Sequence, residues 1–76
     1  MDKYRKDVVR RLFVAATELL EDNHIVAVDG QNQRASLDDF RQGARQLQVA
    51  AGQLATLAGA VIVLLDMDAG TTEPDR

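Results

Sequence analysis

The 76 residues are 46% hydrophobic and include no cysteine and a single histidine. So short a chain buries only a small core, and without cysteine it has neither disulfides nor thiolate metal ligands to stabilise that core. The formal net charge of −3 argues against general nucleic-acid binding. These properties predict one domain, over residues 1–65, that is stabilised by oligomerisation.

The first predicted element is an amphipathic helix over residues 3–22, with Asp2 at the position of an N-cap. Its apolar residues recur at helical spacing and form one stripe. The stripe consists of Tyr4, Val8, Val9, Leu12, Phe13, Ala16, Leu19 and Leu20. Basic residues lie in the first turns and acidic residues in the last, the reverse of what the helix dipole favours, so packing must stabilise this helix. An antiparallel second copy would place basic ends beside acidic ends, which favours a two-fold dimer.

Residues 23–35 are predicted to connect this helix to a second one. Within them, residues 24–28 are rich in β-branched side chains, which are common in strands. Asp29 and Gly30 form a turn signal, because glycine readily adopts positive φ. The polar residues 31–34 offer no strand partner. An ordered loop is therefore favoured, and a short strand that pairs across a dimer is the alternative.

The second predicted helix spans residues 36–65. Ser36 as N-cap and Asp39 three residues later resemble a capping box. Apolar and small residues then recur at heptad spacing in three rows, a pattern typical of helices that pack on other helices. The rows are Phe40, Leu47, Leu54 and Val61; Gly43, Ala50, Leu57 and Leu64; and Ala44, Ala51, Ala58 and Leu65. The predicted oligomer interface consists of Leu47, Ala51, Leu54, Ala58, Val61 and Leu65.

Residues 57–65 contain no polar side chain, and three interpretations of them compete. The helix continues, or a strand at 60–65 follows Gly59 as a helix C-cap, or residues 49–65 cross a membrane. A stretch of 17 residues is at the lower limit for a span, and it contains Gln53. The unbroken heptad register favours the helix. Residues 66–76 are polar and acidic and are predicted to form a disordered tail.

The predicted fold is thus all-α: an antiparallel two-helix hairpin with a long second helix, completed as a helical bundle by homo-oligomerisation. The alternative is an α+β fold with short strands at 24–28 and 60–65 that pair across a dimer. The chain has no visible signal peptide, because its first apolar residues are interleaved with charge, and we expect a cytoplasmic protein.

The sequence contains no recognisable catalytic constellation, and we expect no enzyme activity, cofactor or metal site. The favoured hypothesis is a small interaction protein, a regulator or assembly subunit, that acts as a homo-oligomer, most simply a dimer. One alternative is a nucleic-acid-binding regulator that uses the basic N-terminal helix. The residues for such contact are Lys3, Lys6, Arg10 and Arg11. Another alternative is a small membrane-associated protein anchored by residues 49–65.

Overall fold

The computed structural model describes residues 2–71, and side chains up to residue 67. It contains two helices, α1 (Lys3–Asp29) and α2 (Leu37–Thr71), which pack on each other as an antiparallel hairpin. The predicted all-α hairpin is confirmed. The described residues contain no strand, and 24–28 and 60–65 both lie within helices, so the α+β alternative is wrong.

α1 begins where the sequence predicts and ends seven residues later than predicted. The Asp2 carboxylate accepts a hydrogen bond from the Arg5 backbone N–H at 2.7 Å, which confirms the N-cap. The helix then continues through residues 23–29, so the predicted loop in this segment is wrong. Within this segment Val26 is half-buried and lies close to α2. Its Cγ1 is 3.7 Å from the point that a Cβ would occupy if Gly43 had one. Packing on the second helix outweighs the weak helix propensity of the β-branched residues.

The connection between the helices is a tight turn over residues 30–36. Gly30 donates its backbone N–H to the Val26 carbonyl at 3.1 Å, and Gln31 donates to the Val28 carbonyl at 3.0 Å. The predicted turn is therefore present, although Gly30 has a φ of −65° and does not use positive φ. The turn ends at Ser36, where α2 begins.

α2 begins at its predicted capping residues and ends later than predicted. The Ser36 hydroxyl accepts from the Asp39 N–H, and the Asp39 carboxylate accepts from the Ser36 N–H, both at 3.0 Å. This reciprocal pair confirms the capping box. The helix passes through Gly59 without a break and reaches Thr71, six residues beyond the predicted end. Residues 72–76 of the predicted tail lie outside the described residues.

The hairpin is a single layer of two helices, 12 Å thick in its shortest dimension. Of the residues with described side chains, one alone is buried: Val61, with 7% of its surface exposed. The α1 residues that pack against α2 are half-buried and follow the predicted stripe. They include Val8, Val9, Leu12, Ala16 and Leu19. Three members of the predicted stripe do not join this contact. They are Tyr4, Phe13 and Leu20, which are exposed.

Candidate interaction surface

The three predicted rows of α2 differ in what covers them. One row, here called the inner row, is half-buried against α1. It consists of Gly43, Ala50, Leu57 and Leu64. A second row, here called the outer row, is exposed along its whole length. It consists of Ala44, Ala51, Ala58 and Leu65. The two rows are offset by one residue, about 100° around the helix. α1 therefore covers one side of the apolar surface of α2 and leaves the other open.

The third row, here called the shared row, lies between the other two. It consists of Phe40, Leu47, Leu54 and Val61. Its burial increases along the helix, from Phe40, which is 44% exposed near the turn, to the buried Val61 near the open end. The shared row thus contributes to the contact with α1 and also borders the open side.

Shared and outer rows together form a continuous seam on the open side of α2. Read along the chain from Phe40 to Leu65, their members follow at alternating steps of four and three residues. This spacing keeps side chains on one line of a helix that packs against another helix. Large shared-row residues alternate with outer-row alanines, and Leu65 is the one large residue of the outer row.

α1 widens this open surface with two large side chains. Phe13 is 59% exposed and Leu20 is 57% exposed, and they are seven residues apart on one line of the helix. Phe13 follows the contact residue Leu12 by one position, as Ala58 follows Leu57 on α2. A step of one residue rotates a side chain by about 100° around its helix. In an antiparallel pair of helices, this step from the residues that face the other helix leads to the same side of the hairpin on both helices. Phe13 and Leu20 therefore lie on the same side as the outer row.

The opposite side of the hairpin carries polar side chains among apolar ones. There a shallow groove brings Ala15 of α1, one position before a contact residue, beside Gln53 and Thr56 of α2. The Thr56 hydroxyl donates to the Gly52 carbonyl at 3.1 Å. Arg45 is also exposed on this side. We call the outer and shared rows with Phe13 and Leu20 the apolar face. The opposite side also exposes an apolar side chain, Val49, one turn before Gln53.

Toward the open end of the hairpin, apolar side chains replace polar ones at the exposed positions of α2. Ile62, Val63 and Met67 are each more than half exposed, and they point in different directions around the helix. The stretch Leu37–Met67 is long and apolar enough to cross a membrane by length and composition. Only 11% of its most apolar 18-residue window is buried inside the hairpin.

The predicted interface residues divide into two groups. Leu47, Ala51, Ala58 and Leu65 are exposed on the apolar face; Leu54 is half-buried, and Val61 packs within the hairpin. The sequence did not assign Phe13 and Leu20 to the interface, because both also fit the stripe that packs against α2. Their position at the edge of that stripe, seven residues apart, is the signal that could have identified them. Whether copies of the chain meet here stays a prediction.

The four predicted basic contacts do not form one cluster. Lys3, Lys6 and Arg10 are exposed on the side of α1 that faces away from α2. Arg11 lies elsewhere on the helix, and its Nε is 3.1 Å from Oδ2 of Asp7, one turn earlier. The structure therefore groups three of the four cations on a solvent-facing strip.

Polar chemistry in the described part of the chain is confined to exposed positions. No polar or charged side chain is buried, and no group of three or more His, Asp or Glu residues is placed to hold a metal ion there. An open groove at the turn brings Val26 and Gly30 together with Arg34, Phe40 and Leu47. Since Phe40 and Leu47 belong to the apolar face, this groove is its continuation at the turn.

No protein-family model, curated protein or solved structure matches this chain.

Proposed function

We propose that this chain is a small non-enzymatic interaction protein of the cytoplasm, a regulator or assembly subunit, that acts as a homo-oligomer through its apolar face. The observation that carries the proposal is the open seam on α2. It is a helix-packing surface of regular spacing, nearly four heptads long, and its outer row is exposed along its whole length, whereas α1 covers part of the shared row. Exposed apolar patches of this extent in a small protein mark sites of association.

The accessible surface supports association of the hairpin. It amounts to 6212 Å², whereas a compact monomer of 8.3 kDa exposes about 4,600 Å². The single-layer shape, in which each helix has a partner on one side only, contributes to this excess of roughly 1,600 Å². Association through the apolar face would add a second layer and create the interior that the isolated hairpin lacks.

Sedimentation of the full chain without detergent tests the proposal. Velocity and equilibrium runs between about 5 and 500 µM should show a species of twice the monomer mass or more, with a dissociation constant in or below this range. A monomer of 8.3 kDa at every concentration would overturn the proposal.

A membrane-associated protein is the second candidate function, because Leu37–Met67 passes the length and composition test for a span. The packing of α1 argues against it. The hairpin places α1 along α2, and α1 carries exposed charges from Lys3 to Asp29, so α2 can enter a bilayer only if the hairpin opens or takes those charges with it. Flotation with neutral phosphatidylcholine vesicles separates the two: a membrane protein floats, whereas the proposed oligomer stays in the dense fraction.

The nucleic-acid alternative depends on the strip formed by Lys3, Lys6 and Arg10. Two such strips in a dimer would attract phosphates, and the affinity would fall steeply with salt. A gel-shift titration of 20-base-pair DNA and RNA duplexes at 50 mM salt tests this, with Arg10→Glu as the variant. Binding that this substitution weakens would favour the alternative, and no shift at micromolar protein would remove it.

A further inference from the structure

We propose that the occupant of the apolar face is a second copy of this chain, with the two α2 helices antiparallel and each shared-row residue opposite an outer-row residue. This inference rests on the proposed function, since it specifies how the homo-oligomer is built. It commits to one partner, one orientation and one register.

The register follows from the order of large and small residues in the seam. When two copies of α2 run antiparallel with their midpoint between Ala51 and Leu54, Leu54 meets the partner's Ala51 and Leu47 meets the partner's Ala58. Toward the ends, Ala44 lies opposite the partner's Val61, which its own hairpin already buries, so this layer adds little contact. Each of these layers combines one large and one small side chain. Only the terminal layers, where Phe40 meets the partner's Leu65, combine two large ones.

A parallel pairing of the same seam packs less evenly. It would place Leu47 on the partner's Leu47 and Ala51 on the partner's Ala51, so that wide and narrow layers alternate along the interface. Side chains in protein interiors fill space at nearly uniform density, and helices keep a nearly constant separation along a contact. The antiparallel register keeps the sum of side-chain volumes similar from layer to layer. It therefore fits two straight helices better than the parallel one.

The charges of the hairpin favour the same orientation. Residues 18–45, which form the turn end, contain six acidic and three basic residues. The other residues, 2–17 and 46–76, contain six acidic and six basic residues and carry no net formal charge. An antiparallel arrangement of the α2 helices keeps the two acidic turn ends apart. A parallel pair would place them together, which is unfavourable.

The area of the face matches what a stable dimer requires. The seam from Phe40 to Leu65 extends along roughly 38 Å of helix at about 1.5 Å per residue, and the hairpin is 21 Å wide. Their product is roughly 800 Å² per copy, the amount that each partner contributes to a protein interface of standard size. Because both helices contribute to the face, a second hairpin covers it completely, and the result is a four-helix bundle.

Disulfide trapping tests orientation and register directly, because the natural chain has no cysteine. Leu47→Cys and Ala58→Cys are prepared as separate proteins and oxidised singly and as an equimolar mixture. The inferred register predicts at least about fivefold more cross-linked dimer in the mixture than with either protein alone. In a dimer of one variant, the two identical cysteines would be separated by about 16 Å along the helix axis, too far for a disulfide. Thr56→Cys, on the polar side, measures the background of random collision.

Sedimentation under reducing conditions makes every outcome decisive. Cross-linking of each variant by itself would show a parallel pair, and a dimer with no cross-link above the Thr56→Cys background would show that another surface is used. Both results overturn this inference and leave the homo-oligomer standing. A monomer at 500 µM, or a protein recovered only with vesicles, overturns the proposed function as well.

A spin-label measurement at Ala44→Cys provides a second readout if Leu47→Cys fails to fold. Ala44 is exposed, so the substitution is mild. In the antiparallel register the two labels are separated by about 25 Å along the helix axis, whereas in a parallel dimer they lie within about 12 Å of each other. A short distance would overturn the inference.

Discussion

The inner and outer rows of α2 are adjacent in sequence and alike in composition, yet they have opposite surroundings. Ala50 is half-buried against α1, and Ala51, one residue later, is exposed on the apolar face. The difference arises from the direction in which α1 docks, since helix propensity and hydrophobicity are the same at both positions. A helix can thus carry two packing surfaces at once, one used within the chain and one available to another molecule.

The largest effect is expected from Ala50→Asp, which places a carboxylate in the contact between the helices. Burial of this charge should lower the free energy of unfolding by about 3 kcal/mol. Far-UV circular dichroism at 25 °C should show loss of much of the helical signal at every protein concentration. An unchanged thermal midpoint would show that the inner row is not the contact between α1 and α2.

The same substitution one residue later, Ala51→Asp, should act on assembly. The charge faces the open side, so the contacts between α1 and α2 stay intact, but it enters the proposed interface twice. We expect the dimer to weaken by about 2 kcal/mol, roughly 30-fold in dissociation constant. Sedimentation equilibrium measures this. The matched control is Thr56→Asp on the polar side, and an equal effect of Thr56→Asp would show that the apolar face is not the site of association.

Substitution of Ser36, which lies in neither row, gives a reference for the size of these two effects. Ser36→Ala removes the hydroxyl that accepts from the Asp39 N–H and should destabilise the chain by about 1 kcal/mol, whereas Ser36→Gly should cost only a few tenths. Both variants should retain the oligomeric state of the natural chain. Chemical denaturation followed by circular dichroism gives the values, and a value near zero for Ser36→Ala would show that the cap is unimportant.

The smallest effect is expected from Gly59→Ala, and its sign is opposite. Gly59 is two positions after the inner-row Leu57, about 200° around the helix, and a Cβ there meets no atom within 4 Å. Alanine should stabilise the helix by about 0.7 kcal/mol and raise the thermal midpoint by a few degrees. Oligomerisation should not change. A fall in stability would indicate that a further contact uses this third side of α2.

The sequence was sufficient for those parts of the fold that local signals determine. The Ser36–Asp39 pair and Asp2 marked the starts of both helices, and the heptad spacing carried α2 through Gly59. The end of α1 was beyond its reach. Residues 24–28 have strand-like composition, and in the folded chain Val26 lies close to Gly43 of α2, which is distant in sequence.

The sequence also predicts only part of the candidate surface. Heptad spacing identified three apolar rows on α2 but could not say which of them faces α1, because all three are compatible with helix packing. The apolar stripe of α1 predicts that Phe13 and Leu20 contact α2, but both are exposed. A stripe on a helix does not reveal how much of its width one neighbour covers. Which row of α2 faces α1, and whether Phe13 and Leu20 contact α2, both depend on the direction in which the two helices dock. That direction is a property of the assembled hairpin.

If two hairpins associate as proposed, the thin single layer, 12 Å in its shortest dimension, would make folding depend on protein abundance. A protein with Val61 as its one buried residue among the described side chains has little stability of its own, and association of two hairpins would add the remainder. The folded fraction would then rise with concentration, and newly made chains would stay susceptible to proteolysis until they met a second copy. A cell could therefore control the amount of active protein through its rate of synthesis alone.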